Sequence, residues 1–364
     1  MKPNDKDVAA AIIEEEIKTS RKKSFKHKTP YPEEKLNKPV SFWTKEDRLM
    51  HDKGKAFTII LRTRGCSWAL EHGGCSMCGY IEDANIEPVG PQQIINQFDF
   101  ALEQNLEDIK SDSYNYVLKI FNSGSFFDDT EVPKQVRTYI YERLAKIPQI
   151  TEFIVESRPE FITDENLSLL NKMLPNKYNE VGIGLESVDE HVRNTYIHKG
   201  LLYEDFLSAV KLCHSHNIGI KAYLLFKPPF LNEQAAIDDC LHSIETLVDL
   251  DIETISINPC NIQKGSYVEY LWYQNRYRPP WYYSLFRCLR KAFKEGSLKT
   301  RILCDPSGAG SKRGIHNCLR NECNDNMFQR LKDFVLSQDS KYLEPSEEEC
   351  LCKKQYELEL NFHS

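Results

Sequence analysis

Apolar, β-branched and aromatic positions gather in six short runs, at residues 57–61, 116–121, 153–155, 181–185, 218–225 and 254–257. Bounded by polar turns, such runs read as strands. Between them, over 91–106, 132–145, 164–173, 203–216 and 234–248, apolar residues recur at helical spacing. Six strands alternating with helices predict an α/β fold with a parallel sheet wound by right-handed crossovers. Periodicity alone admits either an open six-stranded barrel or a flat doubly wound sheet.

Ligands of parallel α/β folds bind at the carboxyl ends of the strands, so the residues that follow each run carry the functional signal. The first run leads into a loop with Cys66, Cys75 and Cys78, and the second into Asn122-Ser123-Gly124-Ser125-Phe126. The third ends in Glu156-Ser157-Arg158-Pro159 and the fourth in Gly184-Leu185-Glu186-Ser187. Lys227 follows the fifth run, and Asn258, Cys260, Asn261, Gln263 and Tyr267 follow the sixth. Singly, these residues fit turn caps or an exposed ion pair. Their repetition at successive strand ends predicts one polar rim.

The three cysteines give that rim its chemistry. Gly65, Gly73, Gly74 and Gly79 mark an irregular loop. Three thiolates can hold three irons of a 4Fe-4S cube and leave the fourth open to a ligand. Structural zinc asks for four ligands, and His72 is the only local candidate for the fourth. A second grouping, Cys318, Cys323, Cys350 and Cys352, flanks a helix expected over 325–336 and suits a structural zinc site, with His316 and Cys304 as competing ligands. Cys213, Cys240 and Cys288 lie in helical segments and read as core.

The chain has 364 residues and 41% hydrophobic content, enough for one large domain with a small appendage. The division expected is a basic N-terminal extension over 1–50, a barrel over 51–300 and a C-terminal metal-binding appendage over 301–364. With no long apolar run and no leader pattern, a cytoplasmic protein without a membrane segment is expected. Twelve cysteines in such a chain favour metal binding over disulfides. The net charge of -7 does not advertise a nucleic-acid binder, yet residues 18–38 hold eight Lys or Arg against two Glu, while 344–350 is acidic. That basic segment suits either a phosphate grip or a solvated linker. Residues 304–314, glycine-rich without phosphate-loop spacing, read as a loop over the barrel mouth.

Together the cysteine loop and the turns at Asn122, Glu156 and Gly184 resemble the radical S-adenosylmethionine (radical SAM) superfamily. The first cysteine gap of eight residues, where three is usual, resembles the branch of the Elongator catalytic subunit; within it, the chain is most similar over about 40–352 to the radical SAM subunits of archaeosine synthases. The resemblance implies a partial (β/α)6 barrel, a 4Fe-4S cluster on Cys66, Cys75 and Cys78, and SAM on the open iron. By the same resemblance Asn122, Ser123 and Gly124 hold the methionine amino group. Glu156, Ser157, Arg158 and Glu186 contact the ribose or the methionine carboxylate, and Tyr80 lies near the adenine. The implied activity is a tRNA-modifying lyase. It converts a lysine adduct of 7-cyano-7-deazaguanine in the D-loop to archaeosine through a 5'-deoxyadenosyl radical, with tRNA, a lysine transferase subunit and an electron donor as partners. Trp272, Tyr273, Tyr277, Trp281, Tyr282 and Tyr283, interleaved with Arg276 and Arg278, suit either base stacking or packing against the barrel. Another Elongator-like tRNA modifier, or a non-enzymatic iron-sulfur or zinc protein supporting such a complex, remains open at this point.

Overall fold

Eight strands form one sheet in the order β1-β2-β3-β4-β5-β6-β7-β8. The computed structural model describes residues 5–26, 28–293, 299–318, 320–345 and 350–360. The strands are β1 (Ser41–Arg48), β2 (Lys53–Ile60), β3 (Tyr116–Phe121), β4 (Ile150–Glu156), β5 (Tyr178–Glu186), β6 (Gly219–Phe226), β7 (Thr254–Pro259) and β8 (Arg301–Leu303). All six strands expected from the apolar runs are present as β2 to β7, pairing in parallel. The two added strands close the edges: β1 pairs antiparallel with β2, and β8 parallel with β7. The sheet curls into a half-barrel, which chooses the open barrel over the flat sheet.

The helices are α1 (Asp5–Phe25), α2 (Glu33–Leu36), α3 (Ser67–His72), α4 (Pro91–Ser111), α5 (Lys134–Leu144), α6 (Asp164–Met173), α7 (Tyr203–Ser215), α8 (Glu233–Asp249), α9 (Tyr267–Tyr273), α10 (Tyr282–Ala292), α11 (Asn321–Ser337) and α12 (Cys352–Glu359). Pro91 opens α4 where its missing N–H costs no hydrogen bond, and Thr163 and Asn232 cap α6 and α8 through their side chains. No described helix is long and apolar enough to cross a membrane.

Strand alternation sorts the chain into two environments. Outward residues such as Ile120, Phe153, Val155, Val181, Ile183, Ala222, Leu224 and Ile257 pack under the helices in one core. That core continues into α11 and α12 through Met327, Leu331, Phe334, Tyr356 and Leu360, so both helices pack onto the barrel body. Inward positions carry paired charges beside a small apolar cluster of Leu49, Ala56, Val117 and Ile154. Asp47 pairs with Lys119, while Arg301 reaches Glu152 at 3.3 Å and Glu180 at 3.1 Å. Buried charges are stable only when paired in this way.

Candidate active site and metal centres

The cysteine loop leaves β2 through Arg62 and Thr63. Cys66 precedes the short helix α3, which ends at Gly73, whose φ of 90° a side chain would strain; Gly74 continues at 77°. The chain thereby reverses and returns Cys75 and Cys78 toward Cys66. Burial raises the Cys66 and Cys75 thiols to about 11, and each also feels another cysteine of the trio. Cys78 is raised by the same burial. His72, the candidate fourth ligand, instead stacks on Trp68 with ring centroids 4.4 Å apart.

The turn after β3 packs directly on this loop. A Cβ on Gly124 would stand 2.8 Å from the Cys66 Cα and 1.8 Å from a Glu131 oxygen, so only glycine lets the two backbones approach. Glu131, which the sequence reading missed, ties three segments: it accepts from Thr63 Oγ1 at 2.8 Å, Asn122 Nδ2 at 2.9 Å and the Ser125 N–H at 2.9 Å. Burial pushes its carboxyl up to about 6 despite those donors. Ser123 donates to the Tyr80 carbonyl at 3.0 Å. Asn122 Oδ1 is buried with no hydrogen-bond partner, the vacant acceptor that an ammonium group would fill.

Glu156, Arg158 and Glu186 converge on the same rim. Arg158 lies over Trp68 and donates to the carbonyls of Lys199 at 3.0 Å and Gly200 at 2.7 Å. The Ser157 N–H donates to the Gly182 carbonyl at 2.9 Å. Burial raises Glu156. Glu186 sits at a φ of 70°, a conformation costing roughly 1–2 kcal/mol for a non-glycine residue. It is held there by Lys199 at 2.8 Å. Burial opposes the Lys199 charge, but the Glu186 carboxylate outweighs it and raises the amine; Cys75 acts in the same direction. Lys199 is the other residue the sequence reading missed, because it lies outside every strand-end motif. Residues 197–200 also clamp the cysteine loop. The Ser76 N–H donates to the Ile197 carbonyl at 2.8 Å, Trp68 Nε1 to the His198 carbonyl at 2.9 Å, and His198 Nδ1 meets the Gly74 carbonyl at 2.9 Å.

The basic N-terminal segment turns inward. Arg21, 4% exposed, donates to the Gly73 carbonyl at 3.1 Å and the Cys78 carbonyl at 2.6 Å. Lys28 reaches the carbonyls of Ile81 at 2.5 Å and Glu82 at 2.6 Å, and Ile17 packs in a cluster with Cys75 and Met77. Helix α1 is a strap across the cysteine loop, and these two cations grip its carbonyls rather than phosphate.

Several rim candidates do structural work instead. Gln263 accepts the Gly79 N–H at 2.6 Å and donates to Asn261 at 3.2 Å, which supports the cysteine loop from the β7 side. Lys227 is buried against Glu233 at 2.7 Å, and Tyr267 donates to Glu16 on α1. Tyr277, Trp281 and Tyr282 are core residues, Trp272 packs against a neighbouring cluster and Tyr283 lies against the main core; of the six aromatics only Tyr273 is exposed, at 69%. Arg278 stacks over Trp281 and donates to the His316 and Asn317 carbonyls. Tyr80, at the strand-end mouth of the barrel, is 53% exposed, while desolvation and the neighbouring Cys78 push its hydroxyl up to about 12. Residues 304–314 lie at that end of the barrel, where the Ile262 N–H donates to the Arg313 carbonyl at 2.7 Å.

The second cysteine grouping closes on itself. The sulfurs of Cys318, Cys323, Cys350 and Cys352 lie within 4.8 Å of one another, with Cys318 to Cys350 and Cys323 to Cys352 each at 3.9 Å. Four thiolates at 2.3 Å around one tetrahedral ion would stand about 3.8 Å apart. Asn317 Nδ2 donates to Cys323 Sγ at 3.7 Å, and the Tyr283 hydroxyl lies 3.7 Å from Cys352 Sγ. The competing ligands fall away: His316 Nδ1 meets the Gly314 carbonyl at 2.8 Å, and Cys304 is buried in the main core. Of the acidic stretch 344–350, residues 346–349 lie outside the described residues.

No family model matches the chain. It is 37% identical over 326 residues to the archaeosine synthase subunit beta of Methanosarcina acetivorans, covering 89% of this chain and 91% of that protein. With the archaeosine synthase subunit beta of Thermococcus kodakarensis it shares 36% over 320 residues, covering 88% and 97%. The chain belongs to the archaeosine synthase subunit beta family. An uncharacterised protein of Methanocaldococcus jannaschii is similar at 42% identity over 318 residues, covering 87% and 85%. Among solved structures, methylornithine synthase superposes over 91% of this chain and 92% of its own at a TM-score of 0.46 and 10% identity, too loose a likeness for any residue-level transfer.

Proposed function

We propose that the protein is a radical SAM carbon-nitrogen lyase that converts a lysine adduct of 7-cyano-7-deazaguanine in the tRNA D-loop to archaeosine. The observation carrying this reading is the three-cysteine loop after β2, set beside the orphaned Asn122 Oδ1 in a chain of the archaeosine synthase subunit beta family. In this reading Cys66, Cys75 and Cys78 hold a 4Fe-4S cluster. When bound, the cluster and SAM supply the electron and the radical that the reaction needs.

The protein's own residues bind, orient and exclude water. Asn122, Ser123 and Gly124 receive the methionine amino group, with Asn122 Oδ1 as acceptor. Glu156, Ser157, Arg158 and Glu186 line the ribose and carboxylate side, where the Glu186–Lys199 pair at 2.8 Å fixes the acid. Tyr80 flanks the adenine. Helix α1 and residues 197–200 hold the loop shut against solvent.

For the four C-terminal cysteines we propose structural zinc. The 3.9 Å sulfur spacings suit one tetrahedral ion, which would tie α11 and α12 together. A lysine transferase subunit that makes the adduct, tRNA and a cytoplasmic electron donor complete the expected partners.

Anaerobically reconstituted protein with dithionite and SAM is expected to form 5'-deoxyadenosine, and Cys75→Ser is not. Mass spectrometry of nucleosides from adduct-bearing tRNA should show the adduct replaced by archaeosine. An untouched adduct beside a different modified nucleoside would reassign the substrate to another Elongator-like activity; no 5'-deoxyadenosine at all would leave a non-enzymatic supporting role.

A further inference from the structure

Among the described residues, the charges on the inward face of the strands have direct ionic partners except for two. Asp47 holds Lys119, Arg301 holds Glu152 and Glu180, and Lys199 holds Glu186. Lys221 on β6 is 3% exposed yet makes no hydrogen bond or ion pair with a described residue, and its ammonium rests 4.7 Å over the Tyr223 ring. Glu156 on β4 likewise has no ion pair among the described residues, and the buried Tyr223 hydroxyl faces its carboxylate without a well-formed hydrogen bond.

These groups surround one glycine. Glu156 and Lys221 are the register neighbours of Gly182 on either side. A Cβ on Gly182 would stand 2.8 Å from Tyr223 Cε2 and 3.3 Å from Glu156 Cγ, so the ring leans across the glycine toward the acid. The groups facing Lys221 from neighbouring strands are Lys119, Glu180, Asp47 and Glu156. Burial and the Lys119 charge draw its amine down to about 7, and burial raises Glu156, so neither charge is well supported by the protein alone. Glu156 and Tyr223 are half-buried, so solvent enters between them.

A buried amine without a partner, beside a phenol and an acid that have only each other, makes a complementary set for a ligand carrying one carboxylate and one ammonium group. We propose that Lys221, Tyr223 and Glu156 form a subsite for an α-amino-acid zwitterion, in which Lys221 and Tyr223 take the carboxylate and Glu156, at the boundary with the SAM ribose side, faces the ammonium. Resting on the proposed function, this assigns the lysine end of the adduct to the barrel floor. Gly182 supplies its space, and the adjoining strand ends leave the rest of the adduct pointing toward the cysteine loop. A bound zwitterion would supply Lys221 and Glu156 with the partners each lacks.

The test compares the lysine adduct with the same tRNA carrying a 1,5-diaminopentane adduct, which lacks only the carboxylate. Binding and kcat/KM are measured for the reconstituted wild type, Lys221→Met, Lys221→Arg and Tyr223→Phe. Wild type should favour the lysine adduct by about 10- to 100-fold, the range of a charge-assisted contact. Lys221→Met should abolish that preference, Tyr223→Phe should reduce it, and Lys221→Arg should restore part of it. An unchanged preference in Lys221→Met overturns the subsite. A larger loss of SAM affinity than of adduct preference assigns the pair to SAM and also overturns it. Wild type that binds the lysine adduct preferentially without cleaving it keeps the subsite and defeats the lyase reading. Wild type that cleaves both adducts equally does the reverse.

Discussion

Two cysteine centres sit in this chain, and they are built on opposite plans. The C-terminal four close a tetrahedron with sulfurs at 3.9 Å across two of its edges, leaving no coordination position for anything else. The three after β2 are gathered by left-handed glycines, half-buried, and neighboured by Glu131, Arg158 and the Glu186–Lys199 pair. A closed ligand set makes structure, whereas an incomplete one beside polar groups makes chemistry. The difference lies less in the cysteines than in what surrounds them.

The sharpest way to break the comparison is to remove one sulfur from each centre. Cys75→Ser should eliminate 5'-deoxyadenosine formation while leaving the metal content of the C-terminal site at one ion per chain, read by elemental analysis of the purified protein. Cys323→Ser should do the opposite. It should cost more than about 4 kcal/mol in denaturant unfolding, as expected for loss of a structural metal, with iron content per folded chain retained. Equal loss of both metals in either variant would show that the centres are one unit.

Smaller perturbations grade the surroundings of the reactive loop. Arg21→Ala removes the donor to the Gly73 and Cys78 carbonyls. It should cost about 1.5–3 kcal/mol and speed the bleaching of the cluster absorbance in air. Air-bleaching at the wild-type rate would deny α1 its role as a strap. The smallest effect concerns Glu131, whose folded value of about 6 lies above its ordinary value of 4.5. Its contribution to stability is present below the unfolded value and is lost as pH rises through about 6. Between those limits stability should fall by at most about 2 kcal/mol, and Glu131→Gln should flatten that step. An identical pH profile in the variant would remove Glu131 from the account.

The sequence pattern disclosed six of the eight strands and the C-terminal cysteine grouping, because strand periodicity and ligand spacing are local signals. It did not disclose β1, whose chain lies in the basic N-terminal segment, or β8, only three residues long. Lys199 and Glu131 also escaped notice, since their partners are defined by the curl of the sheet. The direction of Arg21 is set by contacts 52 and 57 residues away, which no window on the sequence contains. The same limit explains why Gln263 and Lys227 read as rim groups but serve as supports.

The continuation of the main core into α12 has a consequence in time. Tyr356 packs against Trp281 and Tyr283, and the Gln234 N–H donates to the Leu360 carbonyl at 3.0 Å. These residues follow all eight strands in the chain, so a nascent chain carrying every strand still has an unsealed flank. An ion held by Cys318, Cys323, Cys350 and Cys352, as proposed, would couple the sealing of that flank to the supply of metal.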